Sequence, residues 1–217
     1  TDGGNNWKNI SDKYFGSSIG AVAVAPSDES IVYVGEGENT MRGNVSEGLG
    51  GMWRSDDGGR SWKNIGLKDG RHIIRILIHP KNPDVVWAAV VGHLFGPNEE
   101  RGVYKTTDGG VTWKKIINGL PNEPINTVRE DAVRKGLLFA GSENAVYFSL
   151  DAGENWQSLR LNMPATSIRD LVIKDDDIVI GTHGRSFWIL DNITPLRQLK
   201  INAPTATTLY KPQQAIR

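Results

Sequence analysis

Ser55-Asp56-Asp57-Gly58-Gly59-Arg60-Ser61-Trp62 is an eight-residue turn that recurs along the chain. Thr106-Thr107-Asp108-Gly109-Gly110-Val111-Thr112-Trp113 and Ser149-Leu150-Asp151-Ala152-Gly153-Glu154-Asn155-Trp156 repeat it, and residues 1–7 end a further copy on Trp7. The common pattern is Ser/Thr-x-Asp-x-Gly-x-x-Trp. Each position has a physical role. The aspartate accepts backbone N–H bonds from just ahead and closes a tight turn. Glycine supplies the positive φ of a hairpin connection. The hydroxyl ties the incoming strand to the turn, and the tryptophan lays a large apolar ring beneath it. Asp57, Asp108 and Asp151, with Trp62, Trp113 and Trp156, are therefore read as structural. A calcium-loop reading fails, because the alternating acidic ligands and the terminal glutamate are absent.

The motif tryptophans stand about 43–55 residues apart, the spacing of four-stranded propeller blades. Every interval has the same internal order. An alternating apolar strand is followed by a turn rich in Pro, Asp, Asn or Gly, then by a β-branched and aromatic strand such as Ile31-Val32-Tyr33-Val34 or Val85-Val86-Trp87-Ala88. A third strand then carries Trp53, Tyr104 or Tyr147 two residues before the motif. Aligning on that column brings in Phe187 and a degenerate fifth motif at 189–196, with Asp191 in the Asp place and Leu196 in the Trp place. Helical periodicity is absent over any useful length. The expectation is an all-β propeller forming one domain over residues 1–217. It has four complete blades near 18–66, 72–117, 124–160 and 167–199, and a fifth built from the N- and C-terminal strands, which covers open sheet edges.

The chain has 217 residues, no cysteine and equal numbers of acidic and basic side chains. Zero net charge argues against nucleic acid as partner. No apolar run is long enough to insert in a membrane, and disulfide and thiol chemistry are excluded. His72, His79, His93 and His183 lack metal-ligand spacing, and Asp175-Asp176-Asp177 reads as a solvated turn, so neither metal nor cofactor is expected. No Gly-x-Ser-x-Gly element supports a nucleophilic serine.

The repeated motif is the Asp-box, or BNR repeat. Residues 1–117 resemble the first propeller of bacterial sortilin-like, BNR-repeat proteins of glycosyl-hydrolase type, through Gly37-Glu38-Asn39, Arg42-Gly43-Asn44-Val45-Ser46 and the run from Gly92 to Gly102. Residues 124–198 resemble the end of a propeller in those proteins, through Arg129-Glu130-Asp131, Gly136 to Gly141 and Thr182 to Asp191. The resemblance implies a carbohydrate-associated propeller, secreted or periplasmic. Its alternative is a non-catalytic scaffold, like sortilin's propeller, that binds peptides. Those relatives are longer, so either this is a short form or additional blades or a further domain belong to it.

Topology assigns a face to the function. Asp-boxes are third-to-fourth-strand turns. The second-to-third loops emerge on the opposite rim with the between-blade segments, and scaffold-borne loops are where binding groups concentrate. They carry Glu36, Glu38 and Glu99, candidate carboxylates for glycoside chemistry. They also carry Arg42, His93, Arg101, His183 and Arg185, candidate ligand contacts, with Arg71 and Glu143 on the same rim. Solvated loop glutamates are the simpler reading of the first group, and satisfied loop carbonyls of the second. Arg75 and Asp170 share one inner-strand column with Ala21 and Thr127, which suits an ion pair lining the channel.

Overall fold

A computed structural model describes residues 3–16, 18–39, 44–201 and 207–212. The first blade consists of β1 (Ile19–Ala25), β2 (Asp28–Glu36), β3 (Met52–Ser55) and β4 (Lys63–Asn64). The second has β5 (Ile73–Ile78), β6 (Val86–Val90), β7 (Gly102–Thr106) and β8 (Lys114–Lys115). In the third are β9 (Ile125–Glu130), β10 (Leu138–Ser142), β11 (Val146–Ser149) and β12 (Gln157–Ser158). The fourth holds β13 (Ile168–Lys174), β14 (Asp177–Thr182) and β15 (Phe187–Leu190), and α1 (Thr194–Gln198) follows. Each sheet is an antiparallel meander in chain order, and β1, β5, β9 and β13 pack successively against one another. The fold is an all-β propeller arc.

Between consecutive blades lie the apolar cores. Tyr33, Met52, Ile73 and Val90 fill the first junction, Trp87, Val103, Ile125 and Leu138 the second, and Phe139, Val146, Ile168 and Ile180 the third. Close approach of neighbouring sheets explains two glycines. A Cβ on Gly35 would come 2.7 Å from the Ile73 side chain, and one on Gly141 2.5 Å from that of Ile168.

The boxes behave as their chemistry dictates. The Ser55 hydroxyl donates to Asp57 at 2.8 Å and accepts the Gly59 N–H at 2.8 Å, while Asp57 accepts the Ser61 N–H at 2.9 Å. The same three bonds recur at Thr106–Asp108–Thr112 and Ser149–Asp151–Asn155. Gly59, Gly110 and Gly153 sit at φ of 86, 93 and 95°, which an L side chain resists. Beyond the turn, the tryptophans join blades. The Nε1–H groups of Trp62, Trp113 and Trp156 donate to the carbonyls of Ile10, Ile65 and Ile116, at 3.2, 2.7 and 3.0 Å. Each of the latter two acceptors ends the preceding blade, so residues 7–10 occupy the outer-strand place of a blade before the first.

Bonds from the Ser61 and Thr112 hydroxyls lead the effects that hold the Asp57 and Asp108 carboxyls down at about 2. A carboxyl depressed in the folded state stabilises the protein above its ordinary value of ~4 and loses that contribution as pH falls toward ~2. Thermal melts from pH 5 downward should therefore show a falling Tm, and the fall should be shallower in Asp57→Asn and Asp108→Asn. An identical pH profile for wild type and both variants would contradict the role.

Three expectations change. Among the described residues the fourth blade has three strands rather than four: after β15 the chain passes Asn192 at φ 63° and enters α1, whose Pro195 has no N–H for a ladder. Arg197 holds α1 in place through Asp131 at 2.8 and 2.9 Å and through Asp176. Trp188, not Phe187, occupies the column of Trp53, Tyr104 and Tyr147, because Ile180 pairs with Trp188 as Val34 pairs with Trp53. That moves the degenerate box one residue along. A one-residue slip flips a strand's faces, and two adjacent aromatics gave no way to choose the register. Finally, no terminal strand forms among the described residues. The proposed C-terminal strand near Thr205 to Lys211 lies partly outside them, and no packing like that of neighbouring inner strands joins β13 back to β1 among those described. Accordingly Trp7 is 91% exposed, and Val22, Val24, Val172 and Ile189 lie open on the two end blades.

Candidate functional site

The four second-to-third connections gather on the rim opposite the boxes, where their polar side chains divide into braces and free groups. Glu36 is a brace. It is 3% exposed, and its carboxylate accepts the Leu49 and Gly50 N–H groups at 3.0 Å each and the Trp53 indole N–H at 2.7 Å. All its bonds fasten the long loop back onto the blade. Glu38, half-buried, accepts the Ser46 N–H at 3.1 Å. Arg42 lies outside the described residues.

Arg101 is also a brace. Nearly buried, it donates to the carbonyls of Val91 at 2.9 Å and His93 at 2.8 Å. Burial pushes its pKa down against the opposing pull of Glu143. Its loop lifts His93 and Glu99 to the surface. Glu99, Asn98 and Arg101 line a cavity of about 440 Å³ together with Lys115, Ile117 and Leu120.

Two sets of carboxylate, guanidinium and imidazole form among these loops and the strand ends beside them. In one, Arg71 grips Glu47 at 2.5 Å, and the His93 Nδ1 stands 4.0 Å from the same carboxylate. In the other, Arg169 reaches Glu143 at 3.5 Å and the His183 Nδ1 at 3.2 Å, while Asn126 donates to Glu143 at 2.9 Å. Gly184, at φ 78°, turns the following residue outward. Arg185 is fixed through its backbone, with its N–H on the Thr182 hydroxyl at 3.1 Å and its carbonyl accepting the Trp188 indole at 2.9 Å. Its exposed guanidinium has no partner among the described residues.

Glu47 and Arg169 were not visible as site residues in the sequence. Glu47 sits mid-loop with no motif around it. Arg169 falls at the irregular pairing between Ile168 and Asp170, which turns it toward the rim, and only the bulge reveals this. Just below the mouth the inner-strand column is as aligned, with Ala21, Arg75, Thr127 and Asp170 paired to Gly35, Ala89, Gly141 and Gly181. Asp170 binds Arg75 and Arg129 there, each at 2.7 Å. No group of three or more His, Cys, Asp or Glu able to hold a metal occurs among the described residues.

Set beside known proteins, residues 1–120 match the Sortilin-Vps10 family model, described as sortilin, neurotensin receptor 3. A xyloglucanase of Hypocrea jecorina (strain QM6a) is 26% identical over 176 residues, covering 65% of this chain and 20% of that protein. The GH74 enzyme of Niastella koreensis superposes with a TM-score of 0.56 at 17% identity, over 76% of this chain and 26% of that one. The GH74 xyloglucanase of Xanthomonas campestris gives 0.57 at 17%, over 79% and 29%. The chain thus spans about a fifth to under a third of the length of these relatives, and the structural likeness is one of fold.

Proposed function

The chain belongs to the Sortilin-Vps10 family, and from its likeness to the xyloglucanase and GH74 propellers we propose that it is a carbohydrate-binding propeller of glycoside-hydrolase type, taking its ligand at the loop rim around the channel mouth. The observation that carries this reading is the division of the two rims. One is spent on turn staples whose aspartates bond their own backbone. The other presents Arg185 and His93 to solvent beside two built polar sets. The Arg185 guanidinium, with its backbone anchored by the loop, has the planar fork of donors that bridges vicinal hydroxyls. Glu38, which also ties down the Ser46 N–H, and Glu99 are the candidate carboxylates for acid–base work once Glu36 is committed to its loop, and hydrolysis requires two carboxyl groups about 5–10 Å apart. The xyloglucanase likeness makes xyloglucan the first probe.

Secretion or periplasmic residence fits such a ligand, and no helix among the described residues is long and apolar enough to cross a membrane. The apolar faces left open on the first and last blades suit additional blades. The test is a polysaccharide array that includes xyloglucan, with release of reducing ends followed in parallel. Saturable binding of at least one glycan is expected. Binding only to peptides would favour the scaffold alternative instead.

A further inference from the structure

The channel wall below the mouth holds unequal numbers of opposite charges. Arg75 on β5, Thr127 and Arg129 on β9, and Asp170 on β13 converge on one atom. The Asp170 Oδ1 accepts from Arg75 and Arg129 at 2.7 Å each, from the Thr127 hydroxyl at 3.0 Å and from the Leu171 N–H at 2.9 Å. These four donors exceed the lone pairs one oxygen offers. Arg75 Nε is buried with no acceptor, and the only other bond the Arg129 guanidinium makes among the described residues is to the Val128 carbonyl at 3.0 Å. Two guanidiniums thus face one carboxylate. Burial lowers the pKa of Arg129, Arg75 lowers it further, and Asp170 opposes both. Arginine does not shed its proton in proteins, so the surplus charge stays.

A water molecule would satisfy a donor but leave that surplus unbalanced, whereas an anion answers both. The cluster is reachable, for the side chain of Asp170 is 50% exposed, that of Arg75 32% and that of Arg129 23%. We propose that Arg75 and Arg129 form an anion seat in the channel, which takes a carboxylate beside Asp170 in the forked geometry that guanidinium and carboxylate share. The carboxylate has two sources, a free small acid or the uronic acid of a glycan. The seat stands independently of the carbohydrate reading, because it rests on the inner-strand charges and the open Arg75 donor and on none of the loop residues that reading uses.

Melting temperature and calorimetric titration with acetate, galacturonate and neutral galactose, at constant ionic strength against chloride, test this. A saturable rise in Tm with acetate and galacturonate, and none with galactose, is expected. Galacturonate binding much more tightly than acetate identifies the glycan source, and equal binding the free acid. Arg75→Gln and Arg129→Gln should each weaken binding at least about tenfold. Asp170→Ala, which vacates the competing carboxylate, should tighten acetate binding by a similar factor and keeps the test open if the arginine variants do not fold. No saturable effect of acetate over chloride, equal effects of galactose and galacturonate, unchanged binding in both glutamine variants, or no gain in Asp170→Ala would overturn the proposal. Acetate binding without any glycan binding would leave the seat standing and remove the carbohydrate reading.

Discussion

Val146→Asp is expected to abolish cooperative folding, while Phe187→Asp leaves it nearly unchanged, although both residues hold the same place in their blades. Val146 pairs with Gly141 on the third blade as Phe187 pairs with Gly181 on the fourth, and Met52 and Val103 hold the equivalent places on the first two. Met52, Val103 and Val146 are each 0% exposed, sealed under the following blade, whereas Phe187 is 79% exposed. An aspartate at Val146 would bury a charge with no partner, at a cost of about 4 kcal/mol or more, a large share of a domain's typical ~5–15 kcal/mol. At Phe187 the new carboxylate stays in water, and the change should lie within about 0.5 kcal/mol. Chemical denaturation of the two variants separates the outcomes. Equal destabilisation would mean that the last blade's outer face is covered by chain already present.

Arg185→Ala should weaken glycan binding about tenfold or more, with melting temperature almost unmoved. Hydrogen bonds to a charged group are worth about 1.5–3 kcal/mol, and about 1.4 kcal/mol is a factor of ten in Kd. Stability should not follow, since the bonds that hold Arg185 to the fold are its own N–H and carbonyl, which alanine keeps. Titration of a binding glycan against both proteins, with parallel melts, checks the pair of statements. A lowered Tm with unchanged Kd would make Arg185 a loop brace like Arg101.

The contrast between Arg101 and Arg185 shows how much of this molecule could be read from its residues. Box chemistry is local: the Ser/Thr, Asp and Gly contacts all close within four residues, so turn, strand order and blade repeat were legible together. The channel column was legible too, because strand alternation alone aligns Arg75 with Asp170. What escaped depends on contacts distant in sequence. Glu36 looks like any loop glutamate until residues 49, 50 and 53 return to it. Arg101 looks like a ligand contact until the carbonyls of Val91 and His93 fold around it. The tryptophan bonds to the preceding blade span 40–52 residues. In the fourth blade, local preference and repeat disagreed. Pro195 and the absence of a box glycine after Asn192 already opposed a fourth strand, but the blade count favoured one.

Hydrogen–deuterium exchange with and without a bound glycan tests the central claim most directly, because the two rims fall on different peptides. Protection is predicted in 91–101 and 182–188, the loops carrying His93 and Arg185, with 55–62, 106–113 and 149–156 unchanged. Protection confined to the Asp-box turns, with the loops exchanging as before, would contradict it.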